Sequence, residues 1–241
     1  MKRMFTLILS LTMLASAPAD AQDDATLYME SAAGSALLYR GHKAYSHPTP
    51  FNGTYFWSSP VFENGDVLYN GRIYHDIPLN IDAARQDLLI RTLSGGAFKV
   101  LSAEYVERFN IGTEFFLNLK KVYGEDAPAG YWELIFDGKA KIVKQVVRTM
   151  QQDLDGHLRT EMGYYDSSYR SDVHSIFTYR AFFCYISPDG QIYPIRRRSQ
   201  LMKFYKDRKK EINRHISKLE ASGMLSLEQY FREVASFAES R

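Results

Sequence analysis

Apolar and polar positions change rhythm three times along this chain. Residues 5–15 form a short apolar run broken only by Ser and Thr. Residues 22–50 have no clear period: Gly34, Gly41, Pro48 and Pro50 interrupt them, and Leu37, Leu38 and Tyr39 make at most a short strand. From residue 51 to 198 the chain is rich in Val, Ile, Tyr and Phe in short runs separated by turn dipeptides, which predicts strands. After residue 198 the spacing becomes helical: Leu201, Phe204, Tyr205, Ile212, Ile216 and Leu219 fall on one stripe.

Three dipeptides predict hairpins. Asn70-Gly71 separates 67–69 from 73–74, Asp137-Gly138 separates 131–136 from 139–147, and Asp189-Gly190 separates 176–186 from 191–195. Glycine lacks a Cβ and tolerates the positive φ of a tight turn. Further strands are expected at 77–79, 88–93, 98–106 and 115–119. In 139–147, Ala140, Ile142 and Val146 alternate with Lys139, Lys141 and Gln145, and the pattern slips at Lys144. One wet face is what an antiparallel sheet predicts, and the lack of strand–helix alternation argues against a doubly wound parallel sheet. No fixed repeat is visible. Residues 151–172 are polar and read as a long loop. Ser199 is the expected N-cap of a first C-terminal helix and Gly223 its stop; Ser226 and Gln229 form a capping box for a second, with Leu227, Tyr230, Phe231, Val234 and Phe237 as its apolar face. The expected fold is mainly β (α+β): an antiparallel meander of roughly nine or ten strands, curved or half-barrel, with two C-terminal helices on the sheet. The expected segments are 1–21, 22–50, 51–198 and 199–241.

The first segment reads as an address. Lys2 and Arg3 precede the apolar run, and Ala19-Asp20-Ala21 offers small residues for cleavage before Gln22. The run is shorter than the ~20 residues that span a bilayer, so a signal peptide is the reading, and the remaining chain is expected in the periplasm, secreted or on the outer surface.

Composition narrows the rest. The chain has 241 residues, 45% apolar and 24% charged, too apolar to be disordered as a whole. A single cysteine, Cys184, excludes an internal disulfide; it lies in an aromatic run without an adjacent cation and reads as a small core residue. Nucleophile-elbow, zincin, paired-cysteine and phosphate-loop motifs are missing, which leans against an enzyme. Gln151 and Met162 fail at two key positions of a calcium loop that Asp153, Asp155 and Gly156 only superficially resemble. His42, His47 and His75 have no metal-ligand spacing, so neither metal nor cofactor is expected. Tyr55 and Trp57, two apart on a predicted strand, are candidates for an aromatic platform, with core packing the plainer reading.

Charge is the strongest local signal. Arg196, Arg197, Arg198, Lys203, Lys206, Arg208, Lys209, Lys210, Arg214 and Lys218 face only Asp207 and Glu211, a net +8, while the rest of the chain after cleavage carries −7. Such a segment attracts an anionic envelope component or an acidic protein face; its plainer reading is the solvated side of an amphipathic helix. Export removes the protein from nucleic acid.

The order of 67–74 (VLYNGRIY), 87–91 (DLLIR), 131–136 (YWELIF) and the Lys-rich 199–212 resembles an uncharacterised family of exported, β-rich Bacteroidetes-type bacterial envelope proteins. The resemblance implies an envelope location and supplies no catalytic residues. The leading expectation is a non-enzymatic binding or interaction module with a basic C-terminal helix. The alternative is a periplasmic carrier holding a lipid or other apolar ligand in a curved sheet; a hydrolase with its site built across strands comes third.

Overall fold

The computed structural model describes residues 38, 41–92, 98–162 and 169–240; the signal-peptide reading lies outside the described residues. Ten strands form one antiparallel sheet: β1 (Glu63–Tyr69), β2 (Arg72–Asp82), β3 (Asp87–Arg91), β4 (Phe98–Val100), β5 (Val106–Ile111), β6 (Glu114–Asn118), β7 (Tyr131–Asp137), β8 (Lys141–Gln152), β9 (Ser175–Ile186) and β10 (Ile192–Ile195). Mainly β with C-terminal helices is the observed class. Asn70 and Gly71 both take positive φ, 51° and 73°, the primed turn that joins β1 to β2. Gly190 does the same at 83° between β9 and β10. Gly138 is needed for another reason. Its φ is not left-handed, but a Cβ there would lie 2.2 Å from Glu239 Oε2 and 2.8 Å from the Phe136 ring.

The sheet order is β10-β9-β8-β7-β6-β5-β1-β2-β3-β4, so one step departs from a simple meander. The predicted strand 98–106 is two strands separated by a 3-10 turn, Ala103–Tyr105. β5 then pairs with β1, not with β4. On a flat sheet β4 and β5 would stand about 19 Å apart, four strand spacings. The six steps from Val100 to Val106, three of them in the 3-10 turn, reach only about 16 Å. The sheet must therefore curl, yet it stays open, with β10 and β4 as its edges. Side chains fill the inside of the curl. Phe109 stacks on Phe116 with centroids 5.0 Å apart, Trp57 meets Phe116 edge-on, and Val67, Leu79, Leu88, Ile90 and Leu38 complete this core.

Residues 22–37, 39 and 40 of the expected lead-in lie outside the described residues; its described end and the start of the expected β domain are held by long-range partners. Residues 47–57 are laced across the sheet without forming a regular strand. Asn52 exchanges backbone bonds with Ser175 and Phe177 of β9, the Trp57 N–H donates to the Ile81 carbonyl of β2, and the Ala83 N–H just past β2 donates to the Tyr55 carbonyl. Side chains make the knot: Asn52 donates to the carbonyls of Arg170 and Val173, and His47 Nε2 lies 2.6 Å from Asp82 Oδ2. Such long-range partners leave no mark in local periodicity.

Among the described residues five α-helical segments accompany the sheet: α1 (Leu119–Tyr123), α2 (His157–Met162), α3 (Arg198–Leu201), α4 (Lys209–Leu219) and α5 (Leu227–Glu239). The expected loop at 151–172 is partly structured: β8 runs to Gln152, and buried Asp153 caps α2 by accepting from the backbones of Leu158 and Arg159. The predicted first C-terminal helix is broken into α3, a 3-10 turn at Lys206–Arg208, and α4. Leu201, Met202, Phe204 and Tyr205 are four apolar side chains in five positions, too many for one helical face. The break lets Phe204 stack on Tyr185 at 4.0 Å while Leu201 and Met202 stay buried. The chain enters α3 at Arg197, not Ser199, with Gln200 Oε1 accepting from the backbones of Arg196 and Arg197. The Ser226–Gln229 capping box at α5 is present as expected. These helices pack on Ile135, Ile142, Phe183, Tyr185 and Ile195 through Ile212, Ile216, Phe231 and Val234.

Candidate functional site

The basic segment divides into cations that hold the fold and cations that do not. Arg198 is structural: it donates to Glu220 Oε1 at 2.7 Å and to the Leu225 carbonyl at 2.6 Å, with its guanidinium over the Tyr230 ring. Arg208 is structural too, because it donates to the carbonyls of Phe237 and Ala238 and pairs with Glu211. Those carbonyls belong to the last turn of α5, which a cation satisfies well. The rest, Arg196, Arg197, Lys203, Lys206, Lys209, Lys210, Arg214 and Lys218, are exposed and make no ion pair among the described residues. Lys210, Arg214 and Lys218 recur every four positions along α4, which places like charges side by side on the helix, and Lys206 lies in the 3-10 turn before it. The opposite face of α4 carries buried Ile212 and Ile216. Only its charged side is on offer, so α4 has no free apolar face to insert into a bilayer.

Tyr55 and Trp57 do not form a platform together. Tyr55 stacks on Phe56 and lies 4.2 Å from the His47 ring, while Trp57 packs against Phe116 in the core of the curl. Burial, helped by the Asp82 charge, pushes the Tyr55 hydroxyl up. The three histidines do not converge: His47 is held by Asp82, His75 lies 3.1 Å from Asp66, and His42 is exposed. Among the described residues no three His, Cys, Asp or Glu side chains are grouped to hold a metal. Cys184 is buried, and desolvation pushes its thiol up to about 11, the opposite of what a nucleophile needs.

A buried charge cluster underlies the slip at Lys144. Lys144 Nζ lies 2.7 Å from Glu133 Oε2 on β7 and 3.0 Å from Glu228 Oε2 at the start of α5. Burial alone would lower the lysine, but hydrogen bonds and charge from the two carboxylates outweigh it and hold it above its ordinary value. Burial pushes Glu133 up, against the pull of Lys144. The cluster ties α5 to the sheet. A second feature lies on the outer face of β1, β2, β5, β6 and β7, where a groove of about 740 Å³ is floored by Leu68, Ile73, Phe115, Leu117 and Leu134 and walled by Val122 and Tyr123. The one sequence sign of it is Phe115-Phe116-Leu117, which is apolar on both faces where a one-sided sheet would alternate.

No helix among the described residues is long and apolar enough to cross a membrane. Comparison with protein families, with curated proteins and with solved structures finds no match to this chain.

Proposed function

We propose that the protein is an exported, non-enzymatic interaction module of the bacterial envelope. Its working surface is the basic face at 196–218, and its partner carries dense negative charge of the phosphate or carboxylate type. One observation carries this reading: eight exposed cations on one segment make no internal ion pair among the described residues, and three of them repel each other at helical spacing on α4. A charged surface that does nothing for the fold has its use outside the molecule. Arg198, Arg208 and the Lys144 cluster hold that surface in place. The reading also takes residues 1–21 as a cleaved signal and the periplasm as the destination.

Cosedimentation tests it. The processed chain should bind phosphatidylglycerol vesicles or lipopolysaccharide, fail to bind phosphatidylcholine, and lose at least about tenfold in affinity between low and physiological salt. A variant with Lys206→Glu, Lys209→Glu and Lys210→Glu should lose this binding while keeping its fold. Equal binding by that variant would falsify the role of the basic face. An acidic protein partner would show the same salt dependence with no vesicle binding.

A further inference from the structure

Unpaired charge of both signs is present on this chain, and the two signs stand on different elements. The cations run from β10 into α3 and α4. A group of carboxylates gathers instead beside the β5–β6 turn. A Cβ on Gly112 of that turn would lie 2.5 Å from Glu63 Oε2 and 3.8 Å from Glu114 Oε2, so β1 and β6 bring these two carboxylates to the same spot. Asn64, next to Glu63, donates to Asp76 Oδ1, and the Asp76 N–H donates to Asp66 Oδ1. Glu63 and Asp76 are exposed, and Asp66 and Glu114 are half-buried. Asp66 meets His75 at 3.1 Å, whereas Glu63, Asp76 and Glu114 make no ion pair among the described residues. This acidic end is held in shape. β1 is bulged between Gly65 and Val67, and Asn110 of β5 accepts from the Asp66 backbone and donates to the Gly112 carbonyl. Like charges gathered in one place repel until opposite charge arrives, and the eight cations at 196–218 are in the same position. Among the described residues no ion pair within one copy joins the two groups. The whole chain is nevertheless close to neutral, with 30 Lys and Arg against 28 Asp and Glu, so no large net charge keeps copies apart.

We propose that the chain associates with a second copy of itself, the basic face of one copy meeting the end of the other that carries Glu63, Asp66, Asp76 and Glu114. This rests on the reading of 196–218 as the working surface and gives that surface its partner. Opposite charge draws the two surfaces together and sets their register. Neither has to be ordered on contact: Arg198 and Arg208 anchor the basic face, and Asn64 and Asn110 anchor the acidic end.

Sedimentation velocity of the processed chain reads the association. At low salt the wild type should gain mass as its concentration rises to about 100 µM, and the association constant should fall at least about tenfold at physiological salt. The variant with Lys206→Glu, Lys209→Glu and Lys210→Glu should be monomeric, and so should the variant with Glu63→Lys and Glu114→Lys. An equimolar mixture of these two variants should associate again, because the unaltered basic face of one meets the unaltered acidic end of the other, and the two reversed surfaces are complementary as well. The substituted side chains are exposed or half-buried, so circular dichroism spectra should match that of the wild type. A wild type that stays monomeric, an association indifferent to salt, a variant that associates as the wild type does, or a mixture that stays monomeric would each overturn the proposal. Cosedimentation with phosphatidylglycerol vesicles tells this failure from that of the wider reading. A monomeric chain that binds vesicles would keep 196–218 as the working surface and remove the second copy as its partner; a chain that does neither would remove both.

Discussion

Strands β7–β9 and strands β1, β5 and β6 belong to one sheet but meet different surroundings. Part of the first set is covered on both faces, by α3–α5 through Ile142 and Phe183, and by α1 and its neighbours through Trp132, Val143 and Cys184. Consecutive residues are therefore buried there: Tyr131, Trp132 and Glu133 on β7, Ile142, Val143 and Lys144 on β8, Phe183 to Ile186 on β9. The second set is covered only inside the curl. Phe116 is 1% exposed, while Phe115 beside it is 59% exposed. Arg108 and Lys144 repeat the contrast among cations: Lys144 has two carboxylates, and Arg108 has none among the described residues. Similar apolar runs thus acquire opposite meanings. A run buried on both sides is core, and a run buried on one side leaves a face for something else.

The adjacent phenylalanines give the sharpest way to break this comparison. Phe116→Ala should cost about 3–5 kcal/mol, because it empties a ring-filled site, and Phe115→Ala should stay within about 0.5 kcal/mol. Urea unfolding midpoints measure both. Equal effects would mean that the outer face is covered after all.

The charged pair comes next. Lys144→Met should destabilise by about 3 kcal/mol, since Glu133 is left buried without its cation. Adding Glu133→Leu should recover most of that loss, by the same measurement. A mild single-variant effect would show that water reaches the cluster.

The smallest expected effect is an alkaline one. Cys184 and Lys144 both have folded values above their ordinary ones, 9.0 and 10.5, and burial pushes Tyr205 up as well. A raised folded value means that stability is fully present below the ordinary value and is lost as pH rises through the folded one. The thermal midpoint should therefore begin to fall near the thiol's 9.0 and keep falling through its folded value of about 11. Cys184→Ala should remove the earliest part of the fall. A flat profile over that range would contradict the burial of the doubly covered half.

Much of the fold was legible because it rests on local chemistry. Asn70-Gly71 and Asp189-Gly190 turn where positive φ is tolerated, and Ser226 with Gln229 caps α5. The candidate site was legible only in part. The basic segment stood out by charge, but not that Arg198 and Arg208 were already engaged with partners 22 to 30 residues away. Tyr55 and Trp57 stood out by type, and distant rings separated them.

What the sequence by itself determined is the set of decisions that neighbouring residues make: strands by alternation, turns by glycine and asparagine, a helix start by its cap, and a concentration of charge. Tertiary structure alone decided that β5 returns to β1, that the first C-terminal helix breaks at Phe204, that Lys144 is a buried anchor, and that the face bearing Ile73 and Phe115 is left bare. The physical reason is reach. Backbone preference acts over a few residues, whereas burial depends on which surfaces the folded chain brings together.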